Sequence, residues 1–108
     1  MPKFEVAIAK KAEEDLAEIY RYIAAADGVE QAERIQERLI GDILGLESMP
    51  ARGKIPPEMR KLNIDDYREV LSSPWRIFYY VSGNIVGVVA VLDGRRNVEE
   101  LLGKRLLQ

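Results

Sequence analysis

Arginine and glutamate, not histidine or cysteine, are the groups through which this chain could do chemistry. Its 108 residues contain no histidine and no cysteine, which removes thiol nucleophiles, serine–histidine and cysteine–histidine dyads and the usual structural zinc sites. Two places concentrate what is left. Arg95-Arg96 follow Asp93-Gly94 at the end of an apolar run, and adjacent guanidiniums at a strand exit can clamp a carboxylate or a phosphate. Glu69 and Arg76 flank Ser72-Ser73-Pro74. A two-residue turn at Ser72-Ser73 sets them directly across from each other, on one sheet face with Tyr67 and Phe78. On that pairing the carboxylate neutralises the cation that a phosphate would want. Arg68 then falls on the opposite face with Val70, Trp75 and Ile77, where an acidic helix residue is its expected partner. No tyrosine follows Tyr80 and no histidine is present, so the C-terminal segment offers neither a phenol nor an imidazole as a general acid.

The hydrophobic periodicities supply the scaffold for these groups. Phe4, Val6 and Ile8 alternate, the period of a short half-buried strand over Phe4 to Ala9. From Ala12 onward, Leu16, Ile19, Tyr20 and Ile23 share one helical face, with Glu13, Glu14 and Asp15 in the early turns where the helix dipole favours anions. Asp27-Gly28 stops this helix, and Ala32, Ile35, Leu39, Ile40, Ile43 and Leu44 make a second stripe that ends before Pro50. The two helices form a hairpin. Pro50, Gly53, Pro56 and Pro57 then mark a loop. Tyr67 to Leu71, Trp75 to Val81 and Ile85 to Leu92 read as three strands separated by hairpin-length connections.

The last of these strands is apolar on both faces, so it is expected to be central, with helices on one side and a second cover, a partner, on the other. Asn97 caps a short terminal helix bearing Val98, Leu101, Leu102, Arg105 and Leu106. The order β-α-α-β-β-β-α predicts an α+β fold: an N-terminal strand, an αα-hairpin, a three-stranded antiparallel meander and a short C-terminal helix, in one domain over 1–108. Tyr20, Tyr22, Tyr79 and Tyr80 are expected to pack in the core or at its rim. Lys10-Lys11 and Lys104-Arg105 read as solvated ends of elements.

Length and charge bound the rest. At 47% hydrophobic and 31% charged, a chain this size can bury one ordinary core without metal or disulfides. Sixteen basic and eighteen acidic residues give a net charge of -2, which argues against a nonspecific nucleic-acid coat. The halves differ in sign: residues 1–50 hold 6 basic and 11 acidic groups, and residues 51–108 hold 10 and 7. Glu5 interrupts any apolar run near the N-terminus, and Ile85 to Leu92 is far too short to span a bilayer. A cytoplasmic protein without membrane or cofactor is expected.

Six segments together resemble the ParE branch of the RelE/ParE toxin superfamily, the toxin halves of bacterial toxin–antitoxin modules, also called plasmid stabilisation proteins. They are Ala12-x-x-Asp15-Leu16-x-x-Ile19-Tyr20-x-Tyr22-Ile23, Leu46-x-x-Met49-Pro50-x-x-Gly53, Pro57-Glu58-Met59, Arg68-Glu69-Val70, Trp75-Arg76-Ile77-Phe78-Tyr79 and Val91-Leu92-Asp93-Gly94-Arg95-Arg96. Many members carry a histidine before Gly-Arg-Arg, where this chain has Asp93.

The resemblance implies two different activities. RelE-like members are ribosome-dependent mRNA endonucleases in which a ribose 2′-hydroxyl attacks its own phosphate, a reaction needing a base, a cation and an acid. They carry lysines two apart on the sheet, an arginine on the next strand and a C-terminal tyrosine or histidine. The matching places here hold Tyr67 and Glu69, Arg76 and Leu101, so only the arginine survives and nuclease activity is disfavoured. ParE-like members instead imply inhibition of DNA gyrase by protein binding, held in check by a cognate ParD-like antitoxin. That is the leading reading, with an altered mRNA interferase or a non-toxic antitoxin-binding homologue as alternatives. The residues expected to meet a target or partner are Arg95, Arg96, Arg76, Glu69 and Tyr67. An acidic antitoxin segment is expected on the sheet face opposite the helical hairpin, with no direct nucleic-acid contact.

Overall fold

The computed structural model describes residues 3–61 and 63–107. Strand β1 (Glu5–Ile8) leads into helices α1 (Lys10–Asp27) and α2 (Val29–Leu44). A 3₁₀ turn, Gly45–Glu47, follows, then a one-turn helix α3 (Pro57–Arg60), strands β2 (Tyr67–Ser72), β3 (Trp75–Ser82) and β4 (Ile85–Asp93), and helix α4 (Val98–Leu106). The expected α+β order holds, with α3 inserted in the segment expected to be loop. Pro57 opens that helix, where a missing N–H costs nothing and a fixed φ is already helical.

Gly28 makes the sharp break between α1 and α2. Its φ of 98° lies where residues with a Cβ rarely go. Its N–H donates to Ala24 O at 3.1 Å and its carbonyl accepts from Ala32 N at 3.1 Å, so one residue closes one helix and opens the next. The hairpin then lays Ala12, Leu16, Leu39 and Ile43 against Val70, Ile77, Tyr79, Val86 and Val88 of the sheet.

The sheet runs β1-β4-β3-β2, with β1 parallel to β4 and the other neighbours antiparallel. Phe78 pairs with Ala90 but Tyr79 pairs with Val88, which leaves Val89 as an extra residue in β4. This bulge changes which face the following side chains meet. Val86, Val88 and Val91 join the hairpin core, while Ala90 and Leu92 face the other side with Phe78.

Two expectations need correction. The second cover of β4 comes from the chain itself: Val98 and Leu102 of α4 and Met59 of α3 pack on Phe78, Ala90 and Leu92. The face expected to await a partner is already covered there, because the C-terminal helix is long enough to lay two apolar turns across it. The β2–β3 turn also falls one residue later than expected, so that Ser72 pairs with Trp75, and Glu69 sits opposite Phe78 with Arg76 opposite Leu71. Sliding a two-residue turn by one place moves every partner by two, which preserves the face. Glu69 and Arg76 therefore remain on the same side.

Candidate functional site

The loop after the 3₁₀ turn is pinned to the sheet before it forms any cleft. The Tyr79 hydroxyl donates to Pro50 O at 2.7 Å and accepts from Gly53 N–H at 3.0 Å. Burial pushes that hydroxyl's pKa up, against the opposing hydrogen bond from Gly53. Arg68 donates to Gly53 O at 2.8 Å. It thus meets backbone carbonyls rather than the acidic helix residue expected, because the loop comes between it and the helices. Lys54 and Glu69 exchange backbone hydrogen bonds of 3.1 and 2.7 Å. A Cβ at Gly53 would sit 2.7 Å from Glu69 O and collide with the Tyr79 hydroxyl, so only glycine permits this approach.

Below that loop lies a cleft of about 610 Å³, with Arg52, Lys54 and Glu58 on the loop side and Glu69, Leu71 and Arg76 on the sheet. Arg76 is doubly forked. Its Nε and Nη2 donate to the two Glu69 oxygens at 2.6 and 2.7 Å, and its Nη1 and Nη2 to the two Glu58 oxygens at 2.9 and 2.7 Å. Four of the five guanidinium N–H groups are thereby used, and the cation stacks 5.1 Å above the Phe78 ring. Bonds from Glu58 first, then Glu69, hold Arg76 well above the usual arginine range. Arg76 in turn holds the Glu58 carboxyl below the ordinary carboxylate value. At neutral pH this cleft offers neither an open cation on its floor nor a proton on Glu58 to give.

Of the residues expected here, the structure brings Glu69 and Arg76 together and adds Glu58, which the sequence offered only as part of the Pro57-Glu58-Met59 segment and not as a site residue. Tyr67 goes elsewhere. It packs beside the α4 layer, edge-on to Tyr80 with ring centroids 6.2 Å apart. Leu101 is half-buried in the same layer.

The strand exit is a different environment. Asp93 accepts from Arg95 at its backbone N–H (2.9 Å), Nε (3.0 Å) and Nη2 (2.7 Å). These bonds, foremost the side-chain ones, hold Asp93 below the usual carboxylate range and raise Arg95. Arg96 bonds Asp93 only through its backbone N–H, at 3.1 Å, and its guanidinium has no ion pair among the described residues. The two arginines read as a pair in the sequence are thus unequal. Both border a groove of about 410 Å³ with Ile19, Tyr22, Trp75 and Leu92. Tyr22 is 75% exposed there, against the expectation of packing; Tyr79, by contrast, is wholly buried.

A third ionic group went unread in the sequence. Strand β1 ends at Ile8 opposite Val88, and beyond it β4 has no strand on that side among the described residues. Asp15 takes the vacant place, accepting from Val91 N–H at 2.9 Å, and Arg105 donates to Val89 O at 2.9 Å. The two side chains lock together through bonds of 2.8 and 2.9 Å. Arg105 is therefore a tie between α4, the bulge and α1 rather than a solvated helix end. Its position within an apolar stripe of α4 was the available signal.

The fold has the α+β architecture seen in solved toxin–antitoxin chains of the RelE/ParE kind. The family model described as ParE toxin of the type II toxin–antitoxin system parDE matches residues 6–98, and the chain belongs to that family. It is 28% identical over 91 residues to Toxin ParE3 of Caulobacter vibrioides, covering 84% of this chain and 87% of that one. Among solved structures, it resembles a chain of the chromosomal ParDE toxin–antitoxin system from P. aeruginosa, with a TM-score of 0.69 at 19% identity over 82% of this chain and 92% of that one. It also resembles a chain of the toxin–antitoxin complex RelBE2 from Mycobacterium tuberculosis, with a TM-score of 0.63 at 20% identity over 86% and 93%. Among the described residues, no helix is long and apolar enough to cross a membrane.

Proposed function

We propose that this chain is the toxin of a type II module, that it acts in the cytoplasm by binding DNA gyrase as a protein target, and that a cognate ParD-like antitoxin neutralises it. The observation that carries the non-nucleolytic reading is the saturation of Arg76 by Glu58 and Glu69. A cation already forked on both edges has little left to stabilise a cleaving phosphodiester. The antitoxin part is supported by membership of a toxin family defined by its two-component system and by the toxin–antitoxin assemblies among its structural relatives. In this reading the target meets the strand-exit groove, where Arg96 is open and Tyr22 exposed.

The test is induced expression in a bacterial host, paired with gyrase supercoiling and ribosome-dependent mRNA cleavage in vitro. The expected result is arrest of DNA synthesis before mRNA declines, and loss of supercoiling with purified protein. Codon-specific cuts on purified ribosomes with supercoiling untouched would assign the chain to the mRNA interferases instead.

A further inference from the structure

The end-on edge of the Arg76 guanidinium is filled by a carboxylate from a short segment of irregular surroundings, and that edge faces a cleft with two more cations on its rim. Glu69 occupies the side-on edge from within the same hairpin and is 5% exposed. Glu58 occupies the end-on edge from α3, a helix of four residues, and its side chain is 24% exposed. Lys54 lies close enough to help hold Glu58 ionised, and Arg52 borders the same space.

We propose that Glu58 is a built-in plug of a latent oxyanion site formed by Arg76, Arg52 and Lys54. Its two oxygens sit where two oxygens of a phosphate group would sit, since guanidinium forks accept carboxylate and phosphate in the same bidentate geometry. With Glu58 in place its carboxylate fills the end-on fork of Arg76 and offsets one of the three cations lining the cleft, so an incoming anion finds that fork occupied. Without it, Arg76 keeps only Glu69, and Arg52 and Lys54 leave the cleft with a net positive charge suited to inorganic phosphate or a phosphate monoester. The proposal concerns the cleft alone and stands apart from the identity of the toxin's target.

The experiment is calorimetric titration of the purified chain with inorganic phosphate, and in parallel with a short oligoribonucleotide lacking terminal phosphates. Three proteins are compared: wild type, Glu58→Ala, and Glu58→Ala with Arg52→Ala and Lys54→Ala. Circular dichroism confirms the fold of each, and Glu58→Gln replaces Glu58→Ala if the smaller residue lets α3 come away. The expected result is at least tenfold tighter phosphate binding on removal of the Glu58 carboxylate, with the gain lost when Arg52 and Lys54 are removed. A gain for phosphate alone identifies a free phosphate or monoester site; a gain for the oligoribonucleotide as well extends it to phosphodiesters. Equal phosphate binding by wild type and the Glu58 variants, or a gain that persists without Arg52 and Lys54, overturns the plug.

Discussion

Arg76 and Arg96 both lie near the end of β4 yet in different surroundings, one opposite Leu92 on the floor of a cleft and the other just beyond the strand on the rim of a groove. Arg76 has carboxylates on both forks and an aromatic ring beneath it. Arg96 has no ion pair among the described residues, and its neighbour Arg95 is the one that satisfies Asp93. The difference teaches that the chemistry available to a cation is set by who reaches it first. The cleft spends its charge on holding the hairpin, the loop and α3 together, whereas the strand exit leaves one charge for a partner.

The sharpest way to break this contrast is to remove Arg76. Arg76→Ala strands Glu58 and Glu69, and losing the centre of a largely buried ionic cluster costs about 3–5 kcal/mol, with the solvent access of Glu58 holding it near the lower end. Urea unfolding should show that loss, while Arg96→Ala should leave the midpoint where it was. Asp15→Ala comes next. It orphans Arg105 and the Val91 N–H at once, and a cost of roughly 2–3 kcal/mol is expected in the same assay. An Asp15 variant as stable as wild type would mean that water replaces the tie at no cost.

Acid separates the two arginine sites more gently. The Glu58 carboxyl lies below its ordinary value of 4.5 when folded, so its bond to Arg76 contributes fully above about that pH and is lost as pH falls through the lowered value. Glu58→Gln removes this contribution. The stability gap between wild type and Glu58→Gln should therefore be widest near neutral pH and narrow steadily below about pH 4.5, as read by denaturation at successive pH values. A gap that widens on acidification would contradict the pairing. The smallest structural effect belongs to the strand exit. Arg96→Ala should weaken toxicity more than Arg95→Ala in a growth assay, with circular dichroism unchanged for both, because only Arg96 has charge to lend. Equal and full toxicity in both variants would return the exit to ordinary surface.

Much of this architecture was legible. The apolar stripes located both long helices, and alternation with turn residues located β2, β3 and β4 to within a residue or so. The Glu69–Arg76 contact was also readable, because a slipped turn shifts partners by two and leaves the face alone. What escaped depended on distance. Glu58 reaches Arg76 from eighteen residues away through an irregular loop, and Asp15 meets Arg105 across ninety, which no local period encodes. The bulge at Val89 was hidden for a related reason: in a strand apolar on both faces, alternation carries no signal of a change in facing. Arg95 and Arg96 looked alike because adjacency in sequence says nothing of which one Asp93 will bind.

The pairing of β1 with β4 has a consequence for how the protein comes into being. Glu5 to Ile8 leave the ribosome eighty residues ahead of their ladder partners, Ile85 to Val88. At roughly 5–20 residues per second, the strand waits on the order of several seconds for its neighbour. During that interval the helical hairpin exists without the sheet that covers its apolar face, and neither the strand exit nor the Asp15–Arg105 tie can form. A nascent chain therefore carries the hairpin but not the strand-exit groove, which is completed only after β4 has been made and laid beside β1.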